Sequence, residues 1–147
     1  MAVLDASVQI ALLNAADEHR QAALAWYTAA LTAGEPIHAP WILVAEVGAG
    51  ITRGLSRPAL AREAVARIVG DGAITLFPVD AGLAERAAAV AIEHHVRGCD
   101  AIYVALAAIL GDTLVTFDAQ QSERARAIVS VLTPGAGAGH GGVPRGA

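Results

Sequence analysis

The sequence predicts one α/β domain built on a mainly parallel sheet of about five strands flanked by helices. Three observations carry that expectation. Short apolar stretches, among them "AVL" (2–4), "AITLFPV" (73–79) and "TLVTF" (113–117), alternate with longer segments of helical periodicity. The 147 residues match one ordinary domain with a single sizeable core. Hydrophobic residues make up 55% of the chain and aromatics only 4%, so that core is expected to consist of Ala, Val, Leu and Ile.

Each element follows from its residues. Residues 2–4 form a short buried strand that ends at Asp5. Ser7 to Asn14 reads as a helix, and Asp17–Glu18 open a second that runs to about Ala33. Gly34–Glu35–Pro36 break it before a weak strand, Ile37–His38–Ala39, and Pro40. A helix is expected from Ile42 to Arg53, weakened by Gly48 and Gly50 by roughly 1 kcal/mol each relative to alanine. Pro58 suits the first turn of the next helix, on which Leu60, Ala64, Val65, Ile68 and Val69 share one face. Gly70–Asp71–Gly72 end that helix, and a strand over 73–79 follows. Asp80 caps a helix whose apolar stripe is Leu83, Ala87, Val90 and Ala91.

The segment Asp100–Leu110 is apolar nearly all round, which argues burial. A strand at 113–117, a short helix over about 119–127 and a last strand at 128–132 complete the domain. The domain is thus expected to span residues 1–133. The remainder, "PGAGAGHGGVPRGA" (134–147), holds six of the fifteen glycines without periodicity and is expected to be a disordered tail.

Composition narrows the function. The net charge is −4 and all ten basic residues are arginine, a poor match to a protein that binds nucleic acid through a broad basic face. A nucleic-acid function therefore needs a local, metal-assisted site or help from a partner. No apolar run approaches the ~18 residues of a membrane span. The first strand starts almost at Met1, so no signal peptide is expected. A lone cysteine, Cys99, rules out an intramolecular disulfide and suits a reducing cytoplasm.

The acidic residues carry the chemistry. In an open parallel sheet, ligands bind beyond the carboxyl ends of the strands. Asp5 follows the first strand directly, and Asp118 comes immediately after the 113–117 stretch. With those two strands as neighbours, and the first expected between the third and fourth, their acids lie side by side. Asp100 opens the helix before the fourth strand and Glu46 lies early in the helix after the second, so both belong at the same edge. Singly, Asp5, Asp100 and Asp118 also read as turn or N-cap residues, and Glu46 as an exposed helix position. Capping alone does not explain why all four fall at one sheet edge. Clustered carboxylates repel, and a divalent cation relieves the repulsion; oxygen-only ligands suit magnesium or manganese.

Four stretches then resemble a known family. "VLDASVQIALLN" (3–14), "VAEVGAGITR" (44–53), "GCDAIYVALA" (98–107) and "LVTFDAQQSERA" (114–125) are similar to the motifs of PIN-domain ribonucleases, and more closely to VapC-type toxins of bacterial toxin–antitoxin pairs. The similarity covers about residues 2–132. It implies a PIN-like three-layer fold and a metal-dependent endoribonuclease that uses Asp5, Glu46, Asp100 and Asp118. Asp5, Asp100 and Asp118 are the implied ligands of Mg2+ or Mn2+, and Ser7 and Thr116 match polar positions that hydrogen-bond around the acids. It also implies an RNA substrate, a cognate antitoxin protein, a homodimer and a cytoplasmic location; the apolar helix faces of the segment 58–96 are the candidate dimer contacts, since an alanine-rich, hydrophobic chain is expected to leave apolar helix surface uncovered. Relatives often carry a further acid two residues after the last Asp; here that position is Gln120.

Other residues are weighed beside these. Arg53 and Arg97 are near the site in sequence and read either as phosphate contacts or as solvated helix ends, the latter preferred. His94–His95 read as surface residues, since adjacent positions do not share a helical face. His19, His38 and His140 show no partner in the sequence, Cys99 reads as a small buried hydrophobe, and Trp26, Tyr27 and Trp41 as packing residues. Three competing classes remain. A PIN-like binding module without catalysis is separated by testing metal-dependent RNA cleavage. A phosphoacceptor receiver domain is disfavoured by the absence of lysine. A haloacid-dehalogenase-like phosphatase would need a second Asp where Asp5-Ala6-Ser7 stands.

Overall fold

In the computed structural model, which describes residues 1–136, strands and helices alternate as the periodicity predicts. The order is β1 (Ala2–Leu4), α1 (Ala6–Leu13), α2 (Arg20–Thr32), β2 (Ile37–Pro40), α3 (Ile42–Leu55), α4 (Pro58–Gly70), β3 (Thr75–Phe77), α5 (Ala81–His94), α6 (Gly98–Leu110), β4 (Thr113–Val115), α7 (Ala119–Ala125) and β5 (Val131–Leu132). The expected α/β architecture of five parallel strands flanked by helices is present.

The strand order is β3-β2-β1-β4-β5. This corrects one expectation: β1 lies between β2 and β4, not between β3 and β4. The physical reason is exposure. β1 is buried along its whole length and needs a partner on each side, whereas β3 is partly exposed and suits the edge. Chain direction across the sheet reverses after β3, so right-handed crossovers place α1–α4 on one face and α5–α6 on the other. The reversal leaves a crevice between the carboxyl ends of β1 and β4, the place where such sheets bind ligands.

Several strands are shorter than their apolar stretches. Thr116 and Phe117 leave β4 to reach the cap of α7, and the Ile128 and Val129 amides donate to the Ala125 carbonyl at 2.8 and 2.9 Å instead of joining β5. α2 starts at Arg20 because the Asn14 and Asp17 side chains accept from the Ala16 and His19 amides, at 3.0 and 2.8 Å, and hold a turn there.

α3 runs unbroken through Gly48 and Gly50. A Cβ on Gly50 would run into the Ile10 side chain, so the glycine serves the close approach of α1 to α3. α6 lies across β1, β2 and β4 and buries Ala101, Tyr103, Val104, Ala105, Leu106 and Ala107. It ends at Gly111, whose φ of +69° is the left-handed stop that glycine adopts without strain.

Trp26 and Tyr27 pack against the core as expected, but Trp41 is exposed. Cys99 is exposed as well, because it sits in the first turn of α6, where the helix end opens on a cleft that it lines with Glu46, Arg97 and Asp100. Of the expected tail, Pro134–Ala136 form a turn closed by the Ala136 amide on Thr133 O at 3.2 Å; residues 137–147, with His140, lie outside the described residues.

Candidate active site

Asp5 is built into the crevice. Its amide continues the β1–β4 ladder by donating to Val115 O at 3.0 Å, and its side chain caps α1. Oδ2 accepts from the Ser7 amide at 3.1 Å, from Ser7 Oγ at 2.5 Å and from Thr116 Oγ1 at 3.1 Å. Ser7 Oγ in turn accepts from the Phe117 amide, and Thr116 Oγ1 from the Asp118 amide, each at 3.0 Å. Ser7 and Thr116 therefore tie the end of β1 to the turn after β4. All three bonds fall on Oδ2, which leaves Oδ1 of this buried carboxylate for another partner.

Asp118 caps α7 through Oδ1, which accepts from the Gln121 amide at 2.9 Å. The capping reading and the site reading hold together for Asp5 and Asp118. They do not for Asp100. The N-cap of α6 is Arg97, and Asp100 sits inside the first turn, where an acid is favoured by the helix dipole. The Arg97 side chain bridges two acids: Nε donates to Asp100 Oδ2 at 2.6 Å and Nη2 to Asp118 Oδ2 at 2.5 Å. Arg97 is thus no merely solvated helix end, which corrects the preferred sequence reading. Arg53 makes no ion pair among the described residues.

Glu46 is half-buried, not exposed, and Oε2 accepts from the Tyr103 hydroxyl at 2.5 Å. Burial pushes the Glu46 carboxyl above its usual range; the Tyr103 bond opposes this, while Asp5 and Asp100 add to it. Burial likewise raises Asp100, against the pull of Arg97 and with help from Asp5 and Asp118. Tyr103, buried and facing Glu46, stays protonated and acts as a donor. Glu46 and Asp100 thus feel the charge of Asp5, and Asp100 that of Asp118, to which Arg97 also ties it.

A raised carboxyl binds its proton more tightly folded than unfolded, so its ionisation opposes folding above the raised value and the penalty disappears as pH falls towards the ordinary one. Glu46→Gln is therefore expected to melt above wild type at pH 7. Its advantage should shrink as pH falls through the raised Glu46 value towards 4.5, the ordinary glutamate value. Melting curves of both proteins from pH 7 to 4.5 check this, and a constant difference would remove the burial argument.

Among the described residues, no three His, Cys, Asp or Glu side chains already form a metal cage. The donor chemistry nevertheless fits a hard divalent cation. The acidic donors are carboxylate oxygens, Asp5 Oδ1 takes no bond, and Asp100 and Asp118 come close enough to share one cationic group, which is Arg97 here. An open cleft of about 440 Å3 beside Glu46, Arg97, Gly98, Cys99 and Asp100 gives access. A more enclosed cavity of about 100 Å3, lined in part by Gln9, Tyr27, Arg67 and Asp71, is built from other residues. Enclosure and chemistry point to different places, and chemistry decides. Gln120 is exposed in the first turn of α7.

Sequence reasoning missed Arg97 as a bridge and Tyr103 as a donor. Tyr103 carried a signal, since a tyrosine in an apolar run needs a partner for its hydroxyl. His38 also has a partner, Asp112, at 2.6 Å, and His19 stacks on Phe117 with ring centroids 4.4 Å apart. His95 is exposed, as expected.

The family model described as the PIN domain matches residues 2–127. Among solved structures, the fold is similar to Mycobacterium tuberculosis VapC20, a sarcin–ricin-loop-cleaving toxin, at 22% identity and a TM-score of 0.70, covering 84% of this chain and 94% of that one. A toxin–antitoxin complex from Klebsiella pneumoniae is similar at 24% identity and a TM-score of 0.64, covering 91% and 98%. VapBC2 from Rickettsia felis, bound to a DNA fragment of its promoter, is similar at 12% identity and a TM-score of 0.69, covering 90% and 98%. No curated protein matches the sequence.

Proposed function

The chain belongs to the PIN domain family, and from that premise we propose that it is a metal-dependent endoribonuclease acting as the toxin of a toxin–antitoxin pair. What supports the proposal is that Asp5 and Asp118 follow the neighbouring strands β1 and β4 and that Arg97 ties Asp118 to Asp100, with Glu46 feeling the charge of Asp5 and Asp100.

Asp5, Asp100 and Asp118 would hold Mg2+ or Mn2+. Such a cation, when bound, neutralises phosphodiester charge and makes a water acidic enough to attack. Ser7 and Thr116 fix Asp5 by occupying Oδ2, so the carboxylate cannot rotate freely. Glu46, raised by burial and held by Tyr103, is the group best placed to take a proton from water and release it. Cleavage by the purified chain of a mixed RNA pool is expected with Mg2+ or Mn2+ and not with excess EDTA. Absence of cleavage with either metal would transfer the reading to a non-catalytic binding module.

One similar structure is a toxin–antitoxin complex, and an antitoxin partner is proposed here on that likeness, with a cytoplasmic location to match an RNA substrate. Among the described residues, no helix is long and apolar enough to cross a membrane. We also propose a homodimer through the segment 58–96, where Val69, Val79 and Ile92 expose apolar side chains, Ile92 to 76%. The domain is proposed to end near residue 133, after β5.

A further inference from the structure

We propose that Arg97 is a resident counter-charge of the acidic cluster: it holds Asp100 and Asp118 in the metal-free chain and leaves them when a divalent cation takes their oxygens. The inference rests on the metal-dependent reading above. One guanidinium reaches carboxylates on two elements, through Nε at 2.6 Å and Nη2 at 2.5 Å. Among the described residues, no other basic side chain forms an ion pair with Asp5, Glu46, Asp100 or Asp118. A guanidinium keeps its charge at any working pH, so the counter-charge is permanent.

The anchoring of Arg97 permits exchange. Its backbone is extended (φ −61°, ψ 147°), caps α6 and accepts the Ala101 amide at 2.8 Å, so it is fixed. Its side chain is 62% exposed and can swing into solvent without disturbing the helix. Exposed ion pairs are weak, whereas a bare cluster of carboxylates binds a divalent ion strongly. The guanidinium and the cation require the same oxygens, Asp100 Oδ2 and Asp118 Oδ2, so occupancy by one excludes full coordination by the other. Arg97 then acts as a built-in competitor that raises the metal concentration the chain requires.

The test is a Mn2+ titration of the full chelator-treated chain by calorimetry, for wild type, Arg97→Ala, Arg97→Gln and Arg97→Lys, with melting curves in parallel. Removing one positive charge at this distance is expected to tighten Mn2+ binding about tenfold in Arg97→Ala and Arg97→Gln. Arg97→Lys should fall between them and wild type, because an ammonium keeps the charge without the two-pronged bridge. Metal-free Arg97→Ala should melt lower than wild type and gain more on adding Mn2+. If Arg97→Ala does not fold, Arg97→Gln and Arg97→Lys decide. Equal or weaker Mn2+ binding in the charge-removing variants would make Arg97 a clamp that organises the acids, and overturn the proposal. No Mn2+ binding by any of the four proteins would remove the metal-dependent reading itself, and the counter-charge role with it.

Discussion

Asp100→Asn is expected to reduce metal-dependent RNA cleavage by about a thousandfold or more while the metal-free chain melts within a few degrees of wild type. Asparagine keeps the shape but loses the anionic oxygen that a hard cation selects. Folding should suffer little, because two effects oppose each other. The substitution removes a favourable first-turn charge, about 0.3–1 kcal/mol, and one of the two Arg97 contacts. It also relieves the burial of a carboxylate whose proton affinity burial has raised. Arg97 keeps Asp118. Since Arg97 and not Asp100 is the N-cap of α6, the variant does not test a cap at all. Cleavage assays and thermal denaturation on the same preparations decide; normal cleavage by the variant would exclude Asp100 from the reaction.

Asp5 should behave differently. Asp5→Ala leaves the Ser7 amide, Ser7 Oγ and Thr116 Oγ1 without their shared acceptor in a buried place. Each orphaned donor costs about 1–3 kcal/mol, and the lost cap about 1. Because Ser7 and Thr116 can regain partners partly, a net loss of about 3 kcal/mol is expected, a fall of roughly 10 °C in Tm. Asp5→Asn retains an acceptor oxygen and a capping side chain, so it should fold and yet lose cleavage like Asp100→Asn. Circular-dichroism melting of both variants beside the cleavage assay separates the roles. An alanine variant that melts like wild type would deny the bonds around Oδ2 any structural weight; an active asparagine variant would deny Asp5 a place at the metal.

Much of this protein was decided locally, and local features are legible. The apolar runs marked the strands, and the 3.6-residue periodicity marked the helices. Asp5, Asp80 and Asp118 announced caps because an acid before a helical pattern satisfies the first free amides, and all three caps are made. The acids at strand ends were legible for the same reason: chain polarity in a parallel sheet sends every strand end to one edge.

Tertiary structure decided the rest. Strand order depended on which strand could bear exposure, and periodicity reports that a face is buried without saying against what. Gly50 looked like a weak point and proved to be a contact, since its value lies in Ile10 forty residues earlier in the chain. Cys99 looked buried because its neighbours are apolar, but the first turn of α6 opens on a cleft and leaves it exposed there. The bond from Tyr103 to Glu46 spans 57 positions, the link between Ser7 and Thr116 spans 109, and the bridge from Arg97 to Asp118 spans 21. Sequence named the acids, because charge and chain polarity are local properties. Only the fold could show that Arg97 neutralises two of them, because an ion pair requires a distance, and distance between remote residues exists only once the sheet has formed.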